Sequence, residues 1–234
     1  MSAVVLYMAG LAAIAGWWLS QQRLASKPWL EEGLAADLRE ESLSSPPAAK
    51  VGLGVFLAVA GALFALLISA YSMRTNMADW RSLPVPRLLW VNTGVLVISS
   101  IALHWAYMAV RRNDLDNVIV GLVVGGASAV TFLIGQLLVW HQLDVSGYFL
   151  AKNPANAFFY LITATHGLHL IGGLVALGRT IAKVWRGVEL IRLRLSVELC
   201  AIYWHFLLLV WLVLLGLLTG WTDDFVNICR QLLT

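Results

Sequence analysis

Residues 118–140 read VIVGLVVGGASAVTFLIGQLLVW, a run of 23 residues without a charged side chain. At about 1.5 Å per residue a helix of this length rises about 35 Å, enough to cross the roughly 30 Å hydrocarbon core of a bilayer. The run also lacks proline, so no backbone hydrogen bond of such a helix is lost. It predicts a transmembrane helix whose solvent is lipid.

Five further apolar runs lie on either side of this one. All six prolines of the chain fall between the runs, where proline does not disrupt a helix. The fold class predicted is all-α, a polytopic membrane bundle of about six transmembrane helices. The other predicted spans are 2–20, 50–72, 88–110, 156–178 and 200–220.

The first span resembles a signal sequence, but no Lys or Arg precedes it and no small-residue cleavage site ends it. We therefore interpret it as a retained helix. Residues 21–49 mix acidic and basic side chains and then contain Ser44, Ser45, Pro46 and Pro47, which is typical of a flexible joint. We predict two domains: residues 1–49, a transmembrane helix with a cytoplasmic linker, and residues 50–234, a five-helix membrane domain.

Composition excludes several classes of function. Charged residues make up 12% of the chain and the net charge is +3, too little for a nucleic-acid-binding surface. If Lys50 is counted with the linker before it, no span contains Asp, Glu, Lys or Arg. Proton relays and ion pathways depend on such groups within the membrane, so active transport by this chain alone is not expected.

Histidines leave one alternative open. His104, His169 and His205 lie roughly 20–24 Å below the outer ends of three different helices, counted at 1.5 Å per residue. Three imidazoles at similar depth on three helices can ligate a haem, as in a membrane cytochrome, or a metal. The other interpretation is that each histidine hydrogen-bonds a neighbouring helix. His166 lies three residues before His169 and shares its helix face.

Residues 50–220 contain a series of short polar and aromatic strings. They are residues 79–86 (DWRSLPVP), 89–96 (LWVNTGVL), Ser99-Ser100, 135–140 (GQLLVW), 166–169 (HGLH) and 203–206 (YWHF). In order and spacing these strings together resemble subunit III of haem–copper respiratory oxidases. That family has a Trp-Pro outer loop, Leu-x-Asn-Thr, a Ser-Ser pair, Gly-Gln-x-x-Glu-Trp, His-Gly-x-His and Tyr-Trp-His-Phe.

The resemblance implies a subunit that is not catalytic by itself, within a proton-translocating cytochrome c oxidase-type complex of aerobic respiration. Haem and copper belong to subunit I, which carries the catalysis, and subunit II is a second partner. This chain is expected to contain no cofactor of its own, to hold phospholipid in a cleft, and to stabilise the catalytic subunit in a bacterial inner membrane. The structural residues expected to make interhelical or lipid contacts are Asn92, Gln136, His166, His169, Glu198 and His205, and Glu198 is placed where it meets a lipid head group or Arg194.

Three carboxylates of the family are replaced here. The family's buried glutamate in the first core helix corresponds to Ala60, the glutamate before Trp140 to Val139, and the aspartate after Tyr-Trp-His-Phe to Leu208. A role in proton uptake through those groups is therefore not expected of this chain. The losses also leave open a relative within the family, the accessory subunit of nitric oxide reductase.

The distribution of Lys and Arg predicts the topology. Six spans place eleven basic residues on the side of residues 21–49, 111–117 and 179–199, and five on the other side. The positive-inside rule puts the first side in the cytoplasm and both termini in the periplasm. Reporter fusions at Lys183 and at Thr234 should therefore report opposite compartments, and a shared compartment would show that the number of spans is wrong.

Overall fold

The structure is a computed structural model that describes residues 48–75, 77–81, 83–186 and 190–220. Five helices make up this part of the chain, and no strand occurs within it. Each helix is long and apolar enough to cross a membrane. The helices are α1 (Ala48–Arg74), α2 (Leu88–Arg111), α3 (Leu115–Val145), α4 (Pro154–Trp185) and α5 (Leu190–Leu218).

These helices confirm the all-α membrane bundle and its five core spans. The predicted helix over residues 2–20, and the linker after it up to residue 47, lie outside the described residues. Helix ends differ most on the predicted cytoplasmic side, where α4 continues to Trp185 and α5 begins at Leu190. The segment 179–199, expected to be a linker, is therefore largely helical. Apolar runs mark the length within lipid, whereas a helix continues into water until capping or turn residues end it.

Side-chain caps set the start of two helices. Asp114 precedes α3 and its Oδ1 accepts a hydrogen bond from the Asn117 backbone N–H at 3.2 Å. Hydrogen bonds from the Asn117 side chain and backbone hold the pKa of the Asp114 carboxyl below its ordinary value. Asn153 caps α4 in the same way through the N–H of Ala155, and Pro154 occupies the first helical position, where no N–H is needed.

Four helices form the main bundle. Helix α2 packs against α3 and α5, and α4 packs against the same two helices, so that α2 to α5 enclose one core. The large rings of Phe132, Trp204 and Trp211 lie in that core with almost no exposed surface. Of the four other described helices, α1 packs against α4 and α5, and it buries two residues, Ala60 and Phe64.

Small residues let α2 and α3 approach closely. A Cβ atom on Gly121 would lie 2.8 Å from the carbonyl oxygen of Ala102 and from the Cβ of Ala106. A Cβ on Gly125 would lie 2.7 Å from Cγ of Leu103. The GxxxG pair formed by Gly121 and Gly125 therefore packs within this chain.

This close approach gives a stability prediction. Gly121→Ala should lower the free energy of unfolding by about 1–3 kcal/mol, because the added methyl group overlaps α2. Gly94→Ala is the matched control, since a Cβ there meets nothing within 4 Å. Unfolding of both variants in detergent, followed by circular dichroism, measures the difference. Equal stability of the two variants would contradict the packing at Gly121.

Candidate functional site

Two indole rings of α5 hydrogen-bond to hydroxyl groups of α2 inside the bundle. Trp204 donates from Nε1 to Ser99 Oγ at 2.9 Å, and Ser99 Oγ donates to the Gly125 carbonyl of α3 at 2.7 Å. Trp211 donates to Thr93 Oγ1 at 3.0 Å. The tryptophans are seven residues apart, so both indoles lie on the face of α5 that meets α2. These bonds join three helices without using a charged group.

Asn92 of α2 and Gln136 of α3, both expected to make interhelical contacts, are buried. A Cβ on Gly135 would overlap the Asn92 amide, so this glycine makes room for the side chain. Within the described ranges, the Asn92 Nδ2 and both polar atoms of the Gln136 side chain have no hydrogen-bond partner. The structure thus places Asn92 at the contact of α2 with α3, while these amide atoms are bonded to no other helix in the described part of the chain.

The two histidines of residues 166–169 have different surroundings. His166 is fully buried among aromatic rings, with centroids 5.0 Å from Trp211 and 5.8 Å from Phe132. Neither of its ring nitrogens has a partner among the residues described here. His169 is half-buried and faces α1, and its Nδ1 lies 2.8 Å from the Thr165 carbonyl of its own helix. The backbone carbonyl of His169 accepts a hydrogen bond from Tyr203 Oη at 2.8 Å.

His205 belongs to a row of three polar side chains on α2 and α5. Its Nδ1 lies 2.6 Å from Ser100 Oγ, and its Nε2 lies 3.3 Å from Nδ1 of His104. A haem between two imidazoles needs their nitrogens about 4 Å apart with the macrocycle between them, since each metal–nitrogen bond is about 2 Å long. His104 and His205 instead form a hydrogen-bonded pair, and His169 lies on the side of α4 that faces α1. The three histidines therefore do not form the haem site considered above.

Glu198 lies near the start of α5 and pairs with a residue of α1. Lys50 Nζ is 2.6 Å from Glu198 Oε1, and both side chains are partly exposed. The expected contact of Glu198 with Arg194 is not formed, because Arg194 donates instead to Oδ1 of Asn113 at 2.7 Å. The ion pair joins α1 to α5 at the end where α1 begins.

A cleft of about 530 Å³ opens between α1, α4 and α5 near this ion pair. Its walls are largely apolar, with Phe56 on one side and Gly172 on the other. Arg179 and Lys183 lie one helical turn apart at its rim, and Lys183 Nζ donates to Ser196 Oγ at 2.8 Å. In the sequence, these two basic residues were interpreted only as topology signals. Their spacing of four, two turns beyond a Gly-Gly pair, is the sequence signal by which the cleft could have been found.

The positions of two replaced carboxylates are filled by packed apolar side chains. Ala60 and Val139 are buried, and Val139 belongs to the main core. In the described part of the chain, no group of three His, Cys, Asp or Glu side chains lies close enough to hold a metal ion. What the arrangement offers is a neutral, hydrogen-bonded scaffold with a basic-rimmed cleft.

Comparison with known proteins agrees with this architecture. Residues 58–223 match the family model described as cytochrome c oxidase subunit III. The protein named cytochrome c oxidase subunit 3 of Thermostichus vulcanus is 32% identical over 72% of this chain and 85% of its own length. Its namesake of a Synechocystis strain is 29% identical over 82% and 88% of the two chains. A probable cytochrome c oxidase subunit 3 of Mycobacterium leprae is 27% identical over 78% and 92%.

The five spanning helices, their packing and the match over residues 58–223 agree with one another. The chain is a multi-pass membrane protein, and it belongs to the cytochrome c oxidase subunit III family of haem–copper oxidases.

Proposed function

We propose that this subunit stabilises the redox-carrying subunit I of a haem–copper terminal oxidase, beside subunit II, and sustains its proton-coupled reduction of O₂. Haem and copper are assigned to the partner. The observation that carries the proposal is the interior of the described bundle, which buries no Asp, Glu, Lys or Arg and where contacts such as Trp204–Ser99 join helices through neutral groups. Proton relays across lipid run along chains of ionisable side chains; here His104 and His205 bond to one another, and buried His166 has no hydrogen-bond partner among the described residues. The subunit therefore acts by shaping the protein and lipid around a partner.

The basic residues support an orientation in a bacterial inner membrane with both termini in the periplasm. Arg111, Arg112, Arg179 and Lys183 lie at the ends of helices on the side assigned to the cytoplasm. The relatives compared above carry oxidase names, and for that reason the oxidase is favoured over nitric oxide reductase as the parent complex.

A phospholipid in the cleft between α1, α4 and α5 is the second part of the proposal. Arg179 and Lys183 provide two cations at the rim for a phosphate group. The apolar walls near Phe56 suit an acyl chain, and Gly172 leaves room for it because a Cβ there would meet nothing within 4 Å. Such a lipid would fill the space between α1 and the two helices that it contacts, α4 and α5.

Deleting the subunit tests the supporting role. Initial turnover of the remaining complex should be unchanged, and so should the number of protons moved per electron in the first turnovers. The working lifetime should fall, because the lipid and protein around subunit I are less well held. Proton-to-electron stoichiometry and activity decay in reconstituted vesicles measure both. An immediate fall in stoichiometry, with the haem spectrum of the partner unchanged, would overturn the purely supporting role.

Filling the cleft tests the lipid. Gly172→Leu places an apolar side chain in open space within the cleft, so it should displace the lipid without disturbing the fold. Lys183→Gln should weaken retention of an anionic lipid, whereas Arg186→Gln makes the same charge change at the end of the same helix and serves as control. Phospholipid retained per complex, counted by native mass spectrometry, is the readout. Equal lipid content in Gly172→Leu and wild type would contradict a lipid in this cleft.

A further inference from the structure

The row Ser100–His205–His104 runs from the interior of the bundle to its lipid-facing surface. Ser100 is 2% exposed, whereas both histidines are exposed. Around them the surface is apolar, with Ile101 63% and Leu209 61% exposed. His104 lies seven residues before Arg111, about 10 Å along the helix axis, which is beyond the reach of an imidazole to the membrane surface.

The direction of the hydrogen bonds follows from Ser100. Among the residues that the structure describes, the Ser100 hydroxyl has only His205 Nδ1 as a partner, at 2.6 Å. A buried hydroxyl needs an acceptor for its proton, so Ser100 donates to His205. The neutral His205 ring then carries its proton on Nε2 and donates to Nδ1 of His104 at 3.3 Å. The neutral His104 ring consequently presents Nε2–H outward as a donor.

No acceptor for this donor is found in the described part of the chain, and lipid tails provide none. A polar group left unsatisfied in hydrocarbon is costly, and the surrounding surface shows that an apolar side chain suits the position. The arrangement therefore requires protein on this surface at the depth of His104. We call the surface formed by Ile101, His104, Trp105, His205 and Leu209 the His104 face.

We propose that the His104 face docks on the redox-carrying membrane subunit, where an acceptor oxygen receives the Nε2–H of His104. The inference rests on the proposed function, which supplies a subunit of this kind. A protein that holds haem and copper within the bilayer carries polar ligands and the groups that hydrogen-bond those ligands. Its spans thus offer the acceptors that lipid does not. The row Ser100–His205–His104 determines that the contact includes a hydrogen bond donated by this chain, and that this bond lies at the depth of His104.

The test uses the whole complex with substitutions in this chain. His104→Leu removes the donor and makes the face more apolar, so the subunit should insert normally but dissociate more readily. Loss of one interhelical hydrogen bond in a membrane corresponds to about threefold to twentyfold weaker retention. His104→Gln keeps a donor and should restore part of the retention. His141→Leu makes the same change at another exposed histidine and should behave like wild type.

Retention is the fraction of this subunit that stays with the haem-containing partner after dilution in detergent. A photoreactive phenylalanine at Ile101 identifies what covers the face, and crosslinking to the redox-carrying subunit is expected. Crosslinks only to lipid, to residues 1–47 of this chain or to a second copy of this chain would overturn the inference, as would unchanged retention of His104→Leu. In those cases co-purification with the haem subunit would leave the proposed function intact. Purification without any haem subunit would instead overturn both.

Discussion

Within the bilayer core a polar side chain finds its hydrogen-bond partner only in protein. The indole N–H groups of Trp204 and Trp211 meet this constraint by donating to Ser99 and Thr93, which fixes α5 against α2. Ser99 in turn donates a hydrogen bond to the Gly125 carbonyl of α3, which links α3 to the same contact. Because Gly125 also sets the close approach of α2 and α3, one short chain of contacts determines how three helices pack.

The helices themselves were predictable because their cause is local. Apolar runs such as residues 118–140 are long enough to cross lipid, and α3 contains this run and continues to Val145. The ends were less predictable, since α4 and α5 continue past their apolar runs into charged sequence. Leaving lipid does not by itself end a helix. A cap such as Asp114 or Asn153 sets the start of a helix through a specific hydrogen bond.

The side-chain contacts of the site were less predictable, because hydropathy and spacing give the face of a helix but not its neighbour. Glu198 was expected to meet Arg194 or a lipid, yet its partner is Lys50, 148 residues away in the sequence. His104 and His205 lie at similar depth, and that depth agreed equally with a haem and with a hydrogen bond. The distance of 3.3 Å between His205 Nε2 and His104 Nδ1 shows that the two rings form a hydrogen bond. The contact of Gly121 with Ala102 and Ala106 is of the same kind, since the spacing of the glycines does not say which helix lies opposite.

The replaced carboxylates show how such a scaffold tolerates the loss of charge. A buried carboxylate must be paired, or its pKa must rise until it is neutral, and in either form the group needs a hydrogen-bond partner in the core. Val139 lies in the main core and Ala60 is buried on α1, and both positions hold apolar side chains. A carboxyl at either position would therefore need a partner that apolar packing does not supply. Among the described residues, the bonds that join α2, α3 and α5 involve Trp, Ser, Thr, His and backbone groups, so the packing of these helices does not depend on a carboxylate at either position.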